Sequence, residues 1–275
     1  MIDFNILSRR KEIFARLTGV KFSDFLTIIE KVKPLWRALQ AKKICAGRKS
    51  HLKSLENEVL MVLIYYRCYI SHFQLGMYFN LDASNVCRHL QKIEPILASI
   101  VAIKKDRTLS AHDLDRMIVD ATEVQIQRPK NKKNQKATYS GKKKRHTLKF
   151  EVIINANGKI LNISKCFNGK THDFSIRKSS EHVPRRVEML ADAGYQGIAK
   201  LHTNSTLPYK RPKCGTLTDE QKTHNRILAS RRIVVEHVFA CLKKFKIIGS
   251  VYRNFRRKLH MRFNILSGIY NLRFS

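Results

Sequence analysis

Three acidic residues in the second half of the chain stand directly after apolar runs. Asp120 follows the letters MIV, Asp192 follows MLA, and Glu236 follows IVV. The first two runs have the short apolar pattern of strands, and the third has the spacing of a helix. Side chains at the ends of neighbouring strands meet at one edge of a sheet. The pattern therefore predicts a mixed α/β sheet covered by helices, with these carboxylates brought together.

The charge balance narrows the class of partner. The chain has 54 Lys and Arg against 21 Asp and Glu, a formal charge of +33. Residues 116–275 hold thirty-five of the basic residues and only ten of the acidic ones. A fold with this much self-repulsion normally meets a polyanion, and nucleic acid fits best. A membrane surface is less favoured, because the chain has one Trp and no apolar run long enough to span a bilayer.

Three clustered carboxylates repel one another unless cations lie between them. Hard oxygen ligands suit Mg²⁺ or Mn²⁺, and a pair of such ions can drive phosphodiester cleavage. We therefore predict that Asp120, Asp192 and Glu236 are catalytic residues that hold two divalent ions. Taken singly, each residue fits a turn, a helix cap or a solvated position better. Their order of strand, strand and helix in a strongly basic segment favours the site.

The cysteines and the N-terminus bear on the compartment. Six cysteines are scattered along the chain without a CxxC pair, which disfavours a zinc site and favours a reduced, intracellular protein. The first residues, MIDFNILSRR, lack the apolar run of a signal peptide. We expect a cytoplasmic protein associated with the bacterial nucleoid.

Residues 1–110 are predicted to form an all-helical DNA-binding domain. Within residues 71–92, two short helical patterns meet at Asn80, a residue type that tolerates the left-handed conformation of a tight turn. This spacing is typical of a helix-turn-helix, and an ordinary helical hairpin is the alternative. The second helix would face the major groove with Ser84, Asn85, Arg88 and His89.

Residues 115–275 are predicted to form the catalytic domain. The expected order is a strand ending near Asp120 with a continuation through Val124 and Ile126, then a β-hairpin turning at NANGK and a short helix capped by Thr171 or Asp173. A strand ending at Asp192 and a helix over residues 221–245 follow. A basic stretch at residues 128–149 holds ten Lys or Arg and no acid. It is either a solvated charge run or a DNA contact. We favour DNA contact through Lys142, Lys143, Lys144 and Arg145.

The segments IVDATE, LADAGYQG and RRIVVEHVFACLKKF resemble the three catalytic motifs of DDE-type insertion-sequence transposases of the insertion sequence five group, related to Harbinger-like endonuclease domains. The spacings of seventy-two and forty-four residues between Asp120, Asp192 and Glu236 are ordinary for an RNase H-like core without a large insertion. The resemblance implies a transposase that binds terminal inverted repeats and catalyses metal-dependent strand cleavage and strand transfer. It also implies a homodimer or higher oligomer on double-stranded DNA.

The third motif implies further roles. Related transposases carry Y-x2-R-x3-E-x6-K around the glutamate, and this chain matches at Arg232, Glu236 and Lys243. The resemblance implies that Arg232 neutralises Glu236 and that both basic residues contact DNA. The tyrosine position is Ala229, so a hairpin step known from tyrosine-bearing relatives is not implied.

A smaller motif, THDF, resembles a His-Asp pair of the same family. His172 and Asp173 would then border the site, although helix capping explains Asp173 equally well.

Two other functions of the protein stay open. A regulator derived from a transposase would bind DNA without cutting it, and a basic RNA-binding protein would leave the three carboxylates unexplained.

Overall fold

The computed structural model describes residues 2–42, 51–52, 54–103, 116–180, 186–212 and 214–274. The chain divides into two compact units. The helical unit comprises residues 1–102, 242–250 and 261–275, and the sheet unit comprises residues 103–241 and 251–260. The predicted domain boundary between residues 110 and 115 lies outside the described residues and stays a prediction.

The helical unit begins with six helices. They are α1 (Phe4–Leu7), α2 (Lys11–Thr18), α3 (Phe22–Ala41), α4 (Leu55–Cys68), α5 (His72–Phe79) and α6 (Ala83–Val101). Helix α4 is apolar on nearly every side and is buried over almost its whole length, so it forms the centre of this unit. The Ser54 side chain accepts a hydrogen bond from the Asn57 backbone N–H and fixes where α4 starts.

Helices α5 and α6 form the predicted helix pair. Ser71 and Gln74 make a reciprocal capping box at the start of α5. Asn80 ends that helix with φ of 53°, which confirms the left-handed turn expected there. Asp82 is the N-cap residue of α6, although its side chain makes no capping hydrogen bond.

The sheet unit contains seven strands and three helices among its described residues. In chain order they are β1 (Arg116–Gln125), α7 (Lys132–Thr138), β2 (Tyr139–Ser140), β3 (Arg145–Asn155), β4 (Ile160–Ile163), β5 (Phe167–Asn168), α8 (Asp173–Ser179), β6 (Glu188–Leu190), β7 (Ser205–Thr206) and α9 (Asp219–Lys243), the last of which belongs to this unit up to residue 241. The expected hairpin is β3–β4, and Gly158 in its turn has φ of 88°. Together with the N-terminal helices, this confirms a mixed α/β chain with a helical region before the sheet.

The strands are ordered β2-β3-β1-β6-β7, and β4 and β5 also pair with β3. Strand β1 runs antiparallel to β3 and parallel to β6, which in turn runs parallel to β7. One face of the sheet buries an apolar cluster that includes Val119, Ile153, Met189, Tyr195 and Ile198. This cluster holds β1 and β6 together beside the acidic residues.

Two further helices complete the described chain, α10 (Lys246–Gly249) and α11 (Leu259–Asn271). Although the sequence groups the C-terminal residues with the catalytic domain, residues 261–275 pack in the helical unit. The Arg262 Nε–H donates to Glu94 Oε1 at 2.7 Å, with both side chains buried. Gly268 lies so close to α6 that an added Cβ would be 1.4 Å from the Val101 carbonyl oxygen.

None of the described helices combines the length and the apolar character needed to cross a membrane. The cysteines of the described residues are free thiols at positions 68, 87, 166, 214 and 241. Cys45, the sixth, lies outside the described residues.

Candidate active site

The register of two parallel strands brings Asp120 and Asp192 together. The last paired residues of β1 and β6 are Ile118 and Leu190, and each aspartate lies two residues beyond its strand's last pair. Since neighbouring strands are about 4.8 Å apart, the two carboxylates leave the sheet side by side. Asp120 is not the last residue of β1, which continues to pair with β3 as far as Gln125, in line with the predicted continuation of the strand through Val124. It is the pairing with β6 that stops before this residue.

One guanidinium links the two aspartates. Arg232 of α9 places Nη2 3.5 Å from Asp120 Oδ2 and Nη1 3.5 Å from Asp192 Oδ1. Each aspartate also accepts a hydrogen bond from the next backbone N–H, at 2.8 Å for Asp120 and 2.7 Å for Asp192. The side chains are partly enclosed, with 21% of Asp120 and 39% of Asp192 exposed. Two carboxylates therefore share a single positive charge in a setting of reduced hydration.

The environment of Asp120 favours its protonated form. Burial, followed by the negative charges of Asp192 and Asp173, raises the pKa of Asp120 to about 6, against the opposing effects of Arg232 and the Ala121 N–H. A second cation beside these oxygens would relieve the repulsion and lower the pKa. The donor set, two partly buried carboxylates, fits a hard divalent ion.

Glu236 takes a different position. It lies on α9 one turn after Arg232 and is exposed, with no hydrogen bond or ion pair to any described residue. The expected Arg232–Glu236 pair is not formed, because Arg232 contacts the two half-buried aspartates, whose charges are less well hydrated. Within the described ranges, no three His, Cys, Asp or Glu side chains are arranged to hold a metal. The structure thus brings together two of the three predicted ligands.

Asp173, at the start of α8, lies near the two aspartates and belongs to a network of ion pairs centred on Lys149 of β3. Lys149 Nζ donates to Asp173 Oδ1 at 2.9 Å and lies 3.7 Å from Glu123 Oε1. Neither Thr171 nor Asp173 caps α8, whose N-cap is the exposed His172 without a side-chain hydrogen bond. The cap prediction is therefore wrong, since Asp173 pairs with Lys149 instead. An added Cβ on Gly194, two residues after Asp192, would meet Asp173 Oδ2 at 2.7 Å, so this carboxylate packs against the Asp192 loop.

A buried ion pair that the sequence did not indicate lies on the face of the sheet opposite Asp120. Glu151 pairs with Arg177 at 2.9 Å, and both are almost fully enclosed. The Glu151 Oε2 and Tyr195 hydroxyl atoms lie buried without a hydrogen-bond partner among the described residues. Burial raises the pKa of Glu151, and burial with the nearby acids raises the pKa of Tyr195 well above its usual value. A single Glu in the apolar run KFEVII was the signal for this buried charge.

The predicted DNA-facing side chains of α6 divide into two groups. Ser84 and Arg88 are exposed, and Arg88 Nη1 donates to Asn85 Oδ1 at 2.8 Å. His89 is 16% exposed and turns its Nδ1 to within 3.4 Å of the buried Glu58 carboxylate. The DNA-binding role of these residues stays a prediction. His89 is the least accessible of the residues, because its side chain is mostly buried against Glu58.

The other basic residues predicted to bind DNA lie at the surface. Those of the loop before β3 (Lys142, Lys143, Lys144 and Arg145) are all exposed, as is Lys243 at the end of α9. Lys149, at the end of the same basic stretch, is instead buried in the network with Asp173. The stretch is therefore not uniformly a solvated surface.

Comparison with known proteins gives two family matches. The family described as DDE superfamily endonuclease matches residues 119–271, which include both aspartates and Glu236. The helix-turn-helix of DDE superfamily endonuclease matches residues 50–101, which confirms the predicted motif. Endonucleases of this superfamily use divalent metal ions.

Two relatives extend over most of the chain. The probable transposase for insertion sequence element IS702 of Microchaete diplosiphon is 38% identical over 96% of this chain and 95% of its own length. The proposed transposase for insertion sequence element IS112 of Streptomyces albus G is 26% identical over 86% of this chain and 84% of its own length. The chain belongs to the DDE superfamily of endonucleases, among its transposases.

Proposed function

We propose that this protein binds the terminal inverted repeats of its own insertion sequence, cuts the DNA at the element's ends and joins the exposed 3′ hydroxyl to target DNA. The observation that carries the proposal is the position of Asp120 and Asp192, each two residues beyond the last β1–β6 pair, where they share one guanidinium. Such a paired-carboxylate site, in a chain that also carries a helix-turn-helix, suits a DNA-cutting enzyme better than a structural protein. The descriptions of the two relatives as transposases support the same activity.

In this proposal Asp120 and Asp192 hold Mg²⁺ or Mn²⁺, and Glu236 supplies a third carboxylate. When bound, two such ions supply activation of the attacking oxygen and stabilisation of the leaving oxygen. Arg232 balances the aspartates in the metal-free chain. Once metal compensates the aspartates, its planar donors can pair with a DNA phosphate. Asp173 and Lys149 hold the Asp192 loop in place through packing against Gly194.

DNA binding is divided between specific and general contacts. Ser84, Asn85 and Arg88 on α6 are the candidates for reading the repeat, because they are accessible at the start of the second helix of the motif. The exposed lysines of residues 142–144 would hold phosphates without regard to sequence. We further propose that the sheet unit has an RNase H-like arrangement. We also propose that the protein assembles as a homodimer or higher oligomer on paired DNA ends.

The test uses the DNA that flanks the coding region as substrate. Purified protein should nick this DNA at the element's ends in Mg²⁺ or Mn²⁺, and it should bind those ends more tightly than random duplex. Specific binding without cutting in either metal would instead identify a silent regulator derived from a transposase. Tighter binding to RNA than to the element's ends would point to an RNA-binding protein.

A further inference from the structure

An exposed tyrosine leaves the sheet beside the candidate active site. Strand β7 runs parallel to β6, and its last residue, Thr206, pairs with Leu190. The chain after Thr206 therefore emerges at the same edge as Asp192, one strand further along. Tyr209 is the third residue beyond β7, and 51% of its surface is exposed. A large ring is thus held in solvent near the carboxylates.

The backbone around this ring is fixed by helix α9. The Asn225 side chain forms a two-point clasp on Tyr209, accepting from its N–H at 2.8 Å and donating to its carbonyl oxygen at 3.0 Å. The His224 ring meets the tyrosine ring edge to face, with centroids 4.9 Å apart. Because α9 also carries Arg232, the clasp ties Tyr209 to the same helix that contacts the aspartates. The ring is therefore presented in a defined position at little further entropic cost on binding.

The surroundings of Tyr209 are positively charged. Lys210 and Arg211 follow it and are exposed, and Arg211 Nε donates to the Gly215 carbonyl at 3.0 Å, which steadies the loop. Arg226 is exposed on the first turns of α9, where Lys222 is also exposed but pairs with Asp219 at 2.9 Å. Surfaces that bind unpaired nucleic acid combine cations along the phosphates with aromatic rings on which bases stack. A continuous duplex offers no free base face to such a ring.

We propose that Tyr209 stacks on an unpaired base of the DNA strand that lies at the active site, while Lys210 and Arg211 hold its phosphates. The site would select DNA whose helix is already open next to the cut over fully paired DNA. This inference rests on the proposed function for the identity of the ligand as DNA. The stacking itself requires neither cutting nor metal.

A second tyrosine provides a matched control. Tyr139 is 45% exposed and its ring meets the His146 ring edge to face at 5.6 Å, again beside lysines. It pairs with His146, six residues along β3 from Val152, the residue that pairs with Asp120. At about 3.3 Å per residue, this separation is roughly 20 Å. Tyr139 therefore shares the local chemistry of Tyr209 without its position.

The experiment measures binding of two DNA probes to the full chain in the presence of a metal chelator. One probe is a short duplex with a single-stranded overhang, carrying a fluorescent adenine analogue at the first unpaired position. The other is the same duplex fully paired. Tyr209→Ala should weaken binding of the overhang probe by about fivefold to a hundredfold and abolish quenching of the analogue, while binding of the paired probe is unchanged. Tyr209→Phe should keep both signals, and Tyr139→Ala should behave as wild type.

The proposal is overturned if Tyr209→Ala binds the overhang probe as wild type does, or loses affinity equally for both probes. It is also overturned if Tyr139→Ala shows the same selective loss. Since no metal is present, a protein that binds DNA but never cuts would still give the expected pattern. A failure of stacking, in turn, leaves metal-dependent nicking to be judged separately.

Discussion

Burial raises the pKa of Asp120 and the charge of Arg232 lowers it, and burial has the larger effect. The raised pKa makes the stability of the folded chain depend on pH. The carboxyl titrates near 6 in the folded protein and near 3.8 in a model peptide, chiefly because it is buried. Between these values the folded state binds more protons than the unfolded state, so stability falls as pH rises. The stability that the protonated Asp120 carboxyl contributes is fully present below about pH 4 and is lost above about pH 6. The free energy of unfolding changes by about 3 kcal/mol over this range.

Asp120→Asn should remove this dependence, because the amide cannot ionise. We expect the variant to have the higher melting temperature at pH 7 without metal, and the difference from wild type to vanish below about pH 4. Adding Mg²⁺ should raise the melting temperature of wild type and leave that of the variant nearly unchanged. Equal melting temperatures of the two proteins across this pH range would show that the charge of Asp120 does not destabilise the folded protein.

At the residue scale, the sequence predicts that Asp120 and Asp192 lie close together better than it predicts the partners of the charged residues. The position of Asp120 and Asp192 after apolar runs was enough to bring them to one edge, because parallel pairing fixes register. The partner of Arg232 was mispredicted, since helical spacing suggested Glu236 and took no account of the neighbouring strands. Lys149 was grouped with the basic stretch that was predicted to be a solvated charge run or a DNA contact, whereas β3 is buried from Thr147 onward and Lys149 pairs with Asp173.

At the scale of elements, α5 and α6 give the clearest test of DNA recognition. Arg88→Ala and Asn85→Ala should each weaken binding to the terminal repeat by about 1–3 kcal/mol and affect random duplex much less, because base contacts carry the specificity. Ser99→Ala is the control, since this exposed residue lies eleven positions further along the same helix. Binding titrations on repeat and random DNA decide the matter. Equal losses on both DNAs would remove α6 as the recognition helix.

The elements themselves were largely readable from sequence. The turn at Asn80, the hairpin and the long helix α9 follow local rules of turn residues and periodicity. The continuation of β1 past Asp120 was predicted too, but its pairing with β3, which lies some thirty residues away along the chain, does not follow from local rules. The cap of α8 was mispredicted, because the Asp173 carboxylate pairs with Lys149 instead.

At the scale of the whole molecule, the helical unit depends on the end of the chain. Glu94 on α6 is fully buried and is compensated by Arg262 on α11, which sequence periodicity alone cannot link across such a distance. Arg262→Met should leave a buried carboxylate without its cation and destabilise the helical unit by about 3–5 kcal/mol. Unfolding monitored by the fluorescence of Trp36, on α3 of the same unit, reports the loss.

The double variant Glu94→Leu with Arg262→Met provides the control, because it removes both charges and should recover most of the stability. If the single Arg262→Met variant unfolds at the wild-type denaturant concentration, the buried pair does not hold α11 to α6.

We propose that Asp120 and Asp192, with Glu236, cut DNA through a divalent metal. The most direct measurement is Mg²⁺- or Mn²⁺-dependent nicking of the element's ends by Asp120→Asn, Asp192→Asn and Glu236→Gln, with Asp219→Asn at the exposed start of α9 as the control. We predict that the first three variants stay folded, bind the repeat and lose nicking by orders of magnitude, while the control cuts as wild type does. Wild-type nicking by a folded Asp120→Asn or Asp192→Asn protein would contradict the assignment of the active site.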